Sequence, residues 1–204
     1  GNVTLSCSLR SRLRYGENPH QHGAVYSRDR HGSASLLEAQ ILSGKELSYN
    51  NYSDLEACLD MLLEFDDPFS CVLKHTNPCG AATADSITEA YRQAYESDPL
   101  SAFGSIIGVN RPVEMDCARL LHETEFVECV LAPSFSVEAL ELLKKKKARR
   151  LLALPAILTR PQPEQFQFRS IRGGMLVQTE DRAQVAQSGL KVVTKRAPSP
   201  AELQ

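Results

Sequence analysis

Apolar residues along the chain fall into short runs and helical stripes, separated by proline, glycine and polar clusters. Ser53 followed by Glu56 reads as a capping box, and Leu55, Leu59, Leu62 and Leu63 then share one face, which predicts a helix over 53–65. Pro68 separates that stripe from Phe69-Ser-Cys-Val-Leu, a continuous apolar run of the kind that forms strands buried on both faces. The alternation continues with a helix over 86–97 ended by Pro99, a strand over 104–109, a helix over 113–122, a strand over 127–132, a helix over 136–147 and a strand over 151–154. Such an alternation predicts an α/β fold, a layered α/β/α mixed sheet whose ligands bind where strands end in loops.

The flanks read differently. Residues 10–50 are rich in Gly, Ser, Asn and Arg, with a strand candidate at 24–27 and an apolar stretch at 36–42. Such a segment must gain its order from contacts elsewhere or from a ligand. Residues 155–204 have proline-rich spacing, a Gly173-Gly174 turn and strand candidates at 175–178 and 191–194; no internal repeat is present. The chain begins with Gly1, and Arg196-Ala-Pro-Ser-Pro-Ala-Glu-Leu-Gln reads as a linker running into a helix cut short. Both ends suggest missing sequence.

Composition narrows the class. The 204 residues are 42% hydrophobic and 24% charged, which fits one globular domain or two small lobes. A net charge of −2 provides no global field for nucleic acid or an anionic membrane, so no nucleic-acid or membrane partner is expected and any anion must be bound locally. No run approaches a membrane span or a signal peptide. Six cysteines, Cys7, Cys58, Cys71, Cys79, Cys117 and Cys129, lack paired spacing and several lie in apolar runs, so a reduced, cytoplasmic protein is expected.

Several clusters can carry chemistry. Leu13-Arg-Tyr-Gly-Glu-Asn-Pro-His-Gln puts a cation, an aromatic face and a flexible glycine together, able to hold a phosphate and stack a flat heterocycle; a surface turn is the other reading. Lys74-His75-Thr-Asn-Pro-Cys-Gly follows a buried strand. Lys74 and His75 side by side there can share proton transfer and stabilise an oxyanion, or His75 can simply cap the loop. Gly104, after Asp98-Pro-Leu-Ser-Ala-Phe, lets the backbone approach a ligand or serves packing. Glu128 in a buried strand needs a partner, unless that strand is an edge facing water. The tract Lys144-Lys-Lys-Lys-Ala-Arg-Arg reads as a solvated helix end favoured by the macrodipole rather than a polyanion site. Pro78-Cys79 superficially matches a zinc-deaminase motif, but Ala82 stands where its second cysteine would be and no His-x-Glu precedes it. A nucleophilic Cys79 is a formal alternative, with no feature that lowers its thiol pKa.

Taken together, Leu13-Arg-Tyr-Gly-Glu-Asn-Pro-His-Gln, Leu47-Ser-Tyr-Asn-Asn-Tyr-Ser-Asp, Val72-Leu-Lys-His-Thr-Asn-Pro-Cys-Gly-Ala-Ala and Asp98-Pro-Leu-Ser-Ala-Phe-Gly-Ser-Ile-Ile closely resemble the aminoimidazole-carboxamide ribonucleotide (AICAR) formyltransferase domain of bifunctional purine biosynthesis proteins. Similarities at 126–134, 173–178 and 192–196 extend the match from Leu13 to the end. The resemblance implies the first of two cytidine-deaminase-like lobes without zinc. Residues 1–12 would then be a leader or interdomain linker, 13–160 the lobe, and 161–204 the connection toward a second lobe. It implies formyl transfer from 10-formyltetrahydrofolate, as co-substrate, to AICAR in purine synthesis, no metal, and a homodimer or a complementing second-lobe chain as partner. By position, Lys74 and His75 would be the catalytic pair, and Arg14, Tyr15, Gly104 and Glu128 would contact the nucleotide. Glu128 stands where the family often has Asp. The family's second-lobe Lys-Ser-Asn-Ala segment, with its catalytic asparagine, does not occur here, and neither does a preceding cyclohydrolase domain. The chain is therefore expected to be a partial domain; the alternative is a non-catalytic module, derived from it, that binds a nucleotide or a partner.

Overall fold

The computed structural model describes residues 1–28, 34–159, 166–181, 189 and 191–202. The chain divides into two compact units, Gly1–Gln162 and Pro163–Gln204. The boundary expected between residues 160 and 161 falls outside the described residues.

The first unit is built on a six-stranded mixed sheet. Its strands are β3 (Gln40–Ser43), β4 (Phe69–Lys74), β5 (Asn77–Thr83), β6 (Ser105–Val109), β7 (Val127–Ala132) and β8 (Arg150–Ala153), in the order β3-β8-β7-β6-β4-β5. β6, β7 and β8 run parallel, whereas β3, β4 and β5 are antiparallel to their neighbours. Successive side chains on a strand point to opposite faces. Cys71 and Leu73 of β4 and Ile106 of β6 therefore face helix α1 (Tyr49–Glu64), through its buried Leu55, Cys58, Leu59 and Leu62. Val72, Ile107 and Val109 face the opposite layer, formed by α2 (Ile87–Ser97), α3 (Met115–Glu123) and α4 (Val137–Leu143). The sheet is thus an α/β fold with helices on both faces, as the periodicity predicts.

Local chemistry moves several boundaries. The first helix starts four residues before Ser53, because the box is closed by Ser48 and Asn51: Ser48 Oγ accepts from Asn51 N at 3.1 Å and Asn51 Oδ1 accepts from Ser48 N at 3.0 Å. Ser53 instead donates back to the Tyr49 carbonyl within the helix. The third helix begins at Met115, since Val113 is held in a bridge to Phe135. The fourth stops at Leu143 rather than 147. Its last turns tighten to bonds from Lys145 N to Leu142 O and Lys146 N to Leu143 O. Lys146 and Arg149 then reach across to the Thr124 carbonyl beyond α3, at 2.7 and 3.3 Å, so part of the basic tract caps a neighbouring helix's C-terminal end. The segment after Lys74, read as a loop, is the edge strand β5, where Pro78 is tolerated.

Two further antiparallel hairpins stand among the described residues. β1 (Cys7–Leu13) pairs with β2 (Gly23–Arg28) in the first unit, and β9 (Phe166–Ile171) pairs with β10 (Gly174–Thr179) in the second. β1 and β9 escape the sequence reading because nearly all their side chains are exposed and no face alternates cleanly. Residues 191–194 form no strand; their side chains are exposed, and β-branching alone does not supply a pairing partner. No helix among the described residues is long and apolar enough to cross a membrane.

Candidate functional site

Because β4 runs antiparallel to β6, its C-terminal end lies beside the N-terminal ends of β6, β7 and β8. Topology alone therefore carries Lys74, His75, Gly104 and Glu128 to one end of the sheet. Lys74 pairs with Asn77 across the β4–β5 hairpin, leaving His75 and Thr76 as a two-residue turn with φ of 55° and 62°. Positive φ at both central residues is the geometry of a type I′ turn, for which Asn-Gly is the ordinary choice. A non-glycine residue there costs about 1–2 kcal/mol, and Thr76 is β-branched. The turn is held from outside. Thr76 N donates to Asp54 Oδ1 of α1 at 2.8 Å, while Asn77 Nδ2 and Thr76 Oγ1 donate to the His75 carbonyl at 2.8 and 2.7 Å. Strain maintained by surrounding structure is a mark of functional sites. Lys74 Nζ donates to the Phe103 carbonyl at 2.9 Å, which engages one of its three N–H groups.

Gly104 sits immediately before β6 with φ 77°, and its N–H donates to the Phe126 carbonyl at 2.8 Å. A Cβ there would meet only the Phe126 ring at 3.4 Å, so backbone conformation, more than space, selects glycine. The Phe103 and Phe126 rings lie 5.3 Å apart and tilted, and Phe103 is 54% exposed, leaving an aromatic face open beside Lys74.

Glu128 is placed by a bulge. Ser105 pairs with Val127 and Ile106 with Cys129, so Glu128 is the extra residue on β7. Accordingly Val127 packs with the α2–α4 layer and Cys129 with the α1 layer. The strand is interior to the sheet, and Glu128 is not a water-facing edge residue. Arg150 Nη1 donates to Glu128 Oε1 at 2.6 Å, and Arg150 Nε donates to the Lys45 and Glu46 carbonyls at 3.2 and 3.1 Å.

Arg14 and Tyr15 lie on the loop joining β1 to β2, with the Arg14 guanidinium 5.7 Å from the Tyr15 ring centroid. The loop is closed by Gly16 N donating to Gln21 O at 2.8 Å and Asn18 N donating to Gln21 Oε1 at 2.7 Å. Asn50 Nδ2 in the first turn of α1 donates to the Glu17 carbonyl at 3.3 Å, one turn before Asp54 grips the His75–Thr76 turn. The two clusters are thus tied to the same end of one helix. Among the described residues, no hydrogen bond or ion pair joins Arg14 or Tyr15 directly to Lys74, His75, Gly104 or Glu128.

Neighbouring groups are structural. Cys79 is the extra residue of a bulge in β5; it donates to the Val72 carbonyl at 3.3 Å, and burial pushes its thiol up, against nucleophilic use. Cys129 is pushed up to about 12 by burial. Asp98 accepts from Ser101 Oγ at 2.5 Å and Ser101 N at 3.1 Å, hydrogen bonds that hold its carboxyl below the usual range and fix the loop before Gly104. No group of three or more His, Cys, Asp or Glu among the described residues is arranged to hold a metal ion. Sequence reasoning missed Asp54, Arg150 and Phe126. Asp54 closes the Leu47–Asp54 motif and so had a signal, whereas Arg150 was absorbed into the basic tract.

The AICARFT/IMPCHase bienzyme family model matches residues 1–204. Among similar proteins, bifunctional purine biosynthesis protein PurH of Halalkalibacterium halodurans is 45% identical over 200 residues, covering 98% of this chain and 39% of its own length. PurH of Sorangium cellulosum is 46% identical over 206 residues, covering 99% and 39%, and PurH of Thermoanaerobacter sp. is 44% identical over 192 residues, covering 94% and 37%. The chain thus spans about two-fifths of the length of these relatives.

Proposed function

Because the chain belongs to the AICARFT/IMPCHase bienzyme family, we propose that it supplies the nucleotide-side part of an AICAR formyltransferase site, with 10-formyltetrahydrofolate as co-substrate. In this reading the AICAR amine attacks the formyl carbon. His75 takes the proton released, and Lys74 stabilises the oxyanion and protonates the departing folate nitrogen as the old C–N bond breaks. Arg14 holds the phosphate and Tyr15 the base, while the Gly104 backbone and the Glu128 carboxylate fix the nucleotide's orientation. Residues 13–160 would be a cytidine-deaminase-like lobe that works without zinc, with 1–12 as a leader or interdomain linker. A second lobe, from the same protein or a partner chain, would add the catalytic asparagine and folate contacts, and a homodimer is the expected assembly.

The observation that carries this reading is the Lys74–His75 pair on a strained, externally held turn, at the same sheet end as Gly104 and the bulged Glu128. Lys74 keeps two N–H groups beyond its bond to the Phe103 carbonyl, enough to meet a developing negative charge. The test is calorimetric titration of the chain with AICAR, beside Arg14→Ala and Lys74→Ala/His75→Ala variants. Loss of a charge-assisted phosphate contact should weaken binding about 10- to 100-fold in Arg14→Ala. Absence of heat with the unsubstituted chain, or equal affinity in Arg14→Ala, overturns the assignment. A second reading is a non-catalytic nucleotide- or partner-binding module derived from that domain. It predicts the same binding with no turnover when the protein is tested at its full natural length.

A further inference from the structure

We infer that Asp54 is a positioning residue for the Lys74–His75 pair, acting through the backbone amide of Thr76; this rests on the formyltransferase reading and extends it to a residue outside the reacting groups. The two residues that follow Lys74 both occupy the left-handed region, and neither is glycine. A turn of that kind relaxes unless neighbouring structure opposes it. Beyond the β4–β5 ladder itself, two hydrogen bonds, from Thr76 Oγ1 and Asn77 Nδ2 to the His75 carbonyl, lie within the turn and move with it. A third, Thr76 N to Asp54 Oδ1 at 2.8 Å, anchors it to another element. That element does not move easily, because α1 buries Leu55, Cys58, Leu59 and Leu62 against the sheet.

Asp54 also lies within electrostatic reach of buried Cys58 and Cys129, and Cys129 adjoins the bulged Glu128. Its carboxylate therefore stands on the α1 side of the sheet end that carries the Lys74–His75 turn. One turn earlier Asn50 holds the Glu17 carbonyl of the Arg14 loop. The N-terminal half of α1 is the common mount of the Arg14–Tyr15 loop and the Lys74–His75 turn, and Asp54 is its contact to the catalytic side. Packing of α1 sets where the mount stands; Asp54 sets the direction in which His75 leaves β4.

Two readouts separate this inference from the functional reading. In amide-resolved NMR of the chain, Asp54→Ala should move the Thr76 amide proton upfield and shift the His75 ring signals. Asp54→Asn keeps an acceptor oxygen and should restore most of both shifts. In formyl transfer by the protein at its full natural length, Asp54→Ala should lower kcat about 10- to 100-fold with KM for the nucleotide within about twofold, as misplacement of a reacting group does, and Asp54→Asn should recover most of the loss. A purely structural Asp54 would lower the melting temperature and leave kcat unchanged well below it. Unchanged Thr76 and His75 signals in Asp54→Ala, an unchanged kcat, or an Asn variant no better than Ala overturns the inference. Lack of turnover in the unsubstituted protein overturns the formyltransferase reading instead, and the NMR arm still decides whether Asp54 sets the turn.

Discussion

Removing Arg150 is the sharpest perturbation of the bulge that aims Glu128. Arg150→Met keeps much of the side-chain volume and deletes the guanidinium that bonds Glu128 Oε1 at 2.6 Å and the Lys45 and Glu46 carbonyls at about 3.1–3.2 Å. The side chains of Arg150 and Glu128 are 12% and 30% exposed, between a surface pair and a buried one. Breaking a fully buried pair from one side costs about 3–5 kcal/mol, and exposed pairs contribute about 0–1. Water can still reach Glu128 and the two carbonyls, so discounting for that screening gives about 2 kcal/mol. For a chain of this length that is a fall in melting temperature of about 4–8 °C. The double variant Arg150→Met/Glu128→Leu leaves no unpaired charge and should regain about half of the loss or more. A four-member cycle by urea denaturation, with calorimetric melts alongside, measures the coupling. If the two substitutions add within about 0.5 kcal/mol, the side chains do not act as a pair and the account of how Glu128 is held is wrong.

Two further outcomes concern the core packing of Gly108 and the protonation of His122. A Cβ on Gly108 would lie 2.2 Å from Cys58 Sγ and 3.1 Å from Cys71 Sγ, so Gly108→Ala should destabilise by about 1–3 kcal/mol through forced separation of α1 from the sheet; a urea midpoint equal to that of the parent would refute it. Burial, with Lys146, Arg149 and Lys145 adding to it, holds His122 below its ordinary 6.5. The unfolded chain therefore binds the extra proton first on acidification, and His122's contribution is intact above about pH 6.5 and is lost as the pH falls from there through the folded value. His122→Gln should flatten that part of the stability profile, and identical profiles for the two proteins would refute the shift.

The sequence by itself determined the layered α/β core. Strands buried on both faces must be written as continuous apolar runs, and helices packed on them as stripes, so Phe69–Lys74, Ser105–Val109, Val127–Ala132 and the helices between them were legible to within a few residues. The motifs around Arg14 and Lys74 were legible as candidates for a related reason: clustered cations, aromatic rings and turn formers are properties of neighbouring positions. Only the tertiary structure decided what joins positions far apart. No local pattern reports that β4 runs against β6 and so sets Lys74 beside Gly104 and near Glu128, or that an extra residue in β7 turns Glu128 toward Arg150. Nor does it report that Asp54, 22 residues from Thr76, holds a turn in which neither residue is glycine. Exposed strands such as β1 and β9 were invisible because no buried face imposes alternation on them, although their partners β2 and β10 were legible at 24–27 and 175–178. Short-range patterning records which side chains must leave water; register, bulges and long-range hydrogen bonds are settled only when the layers close.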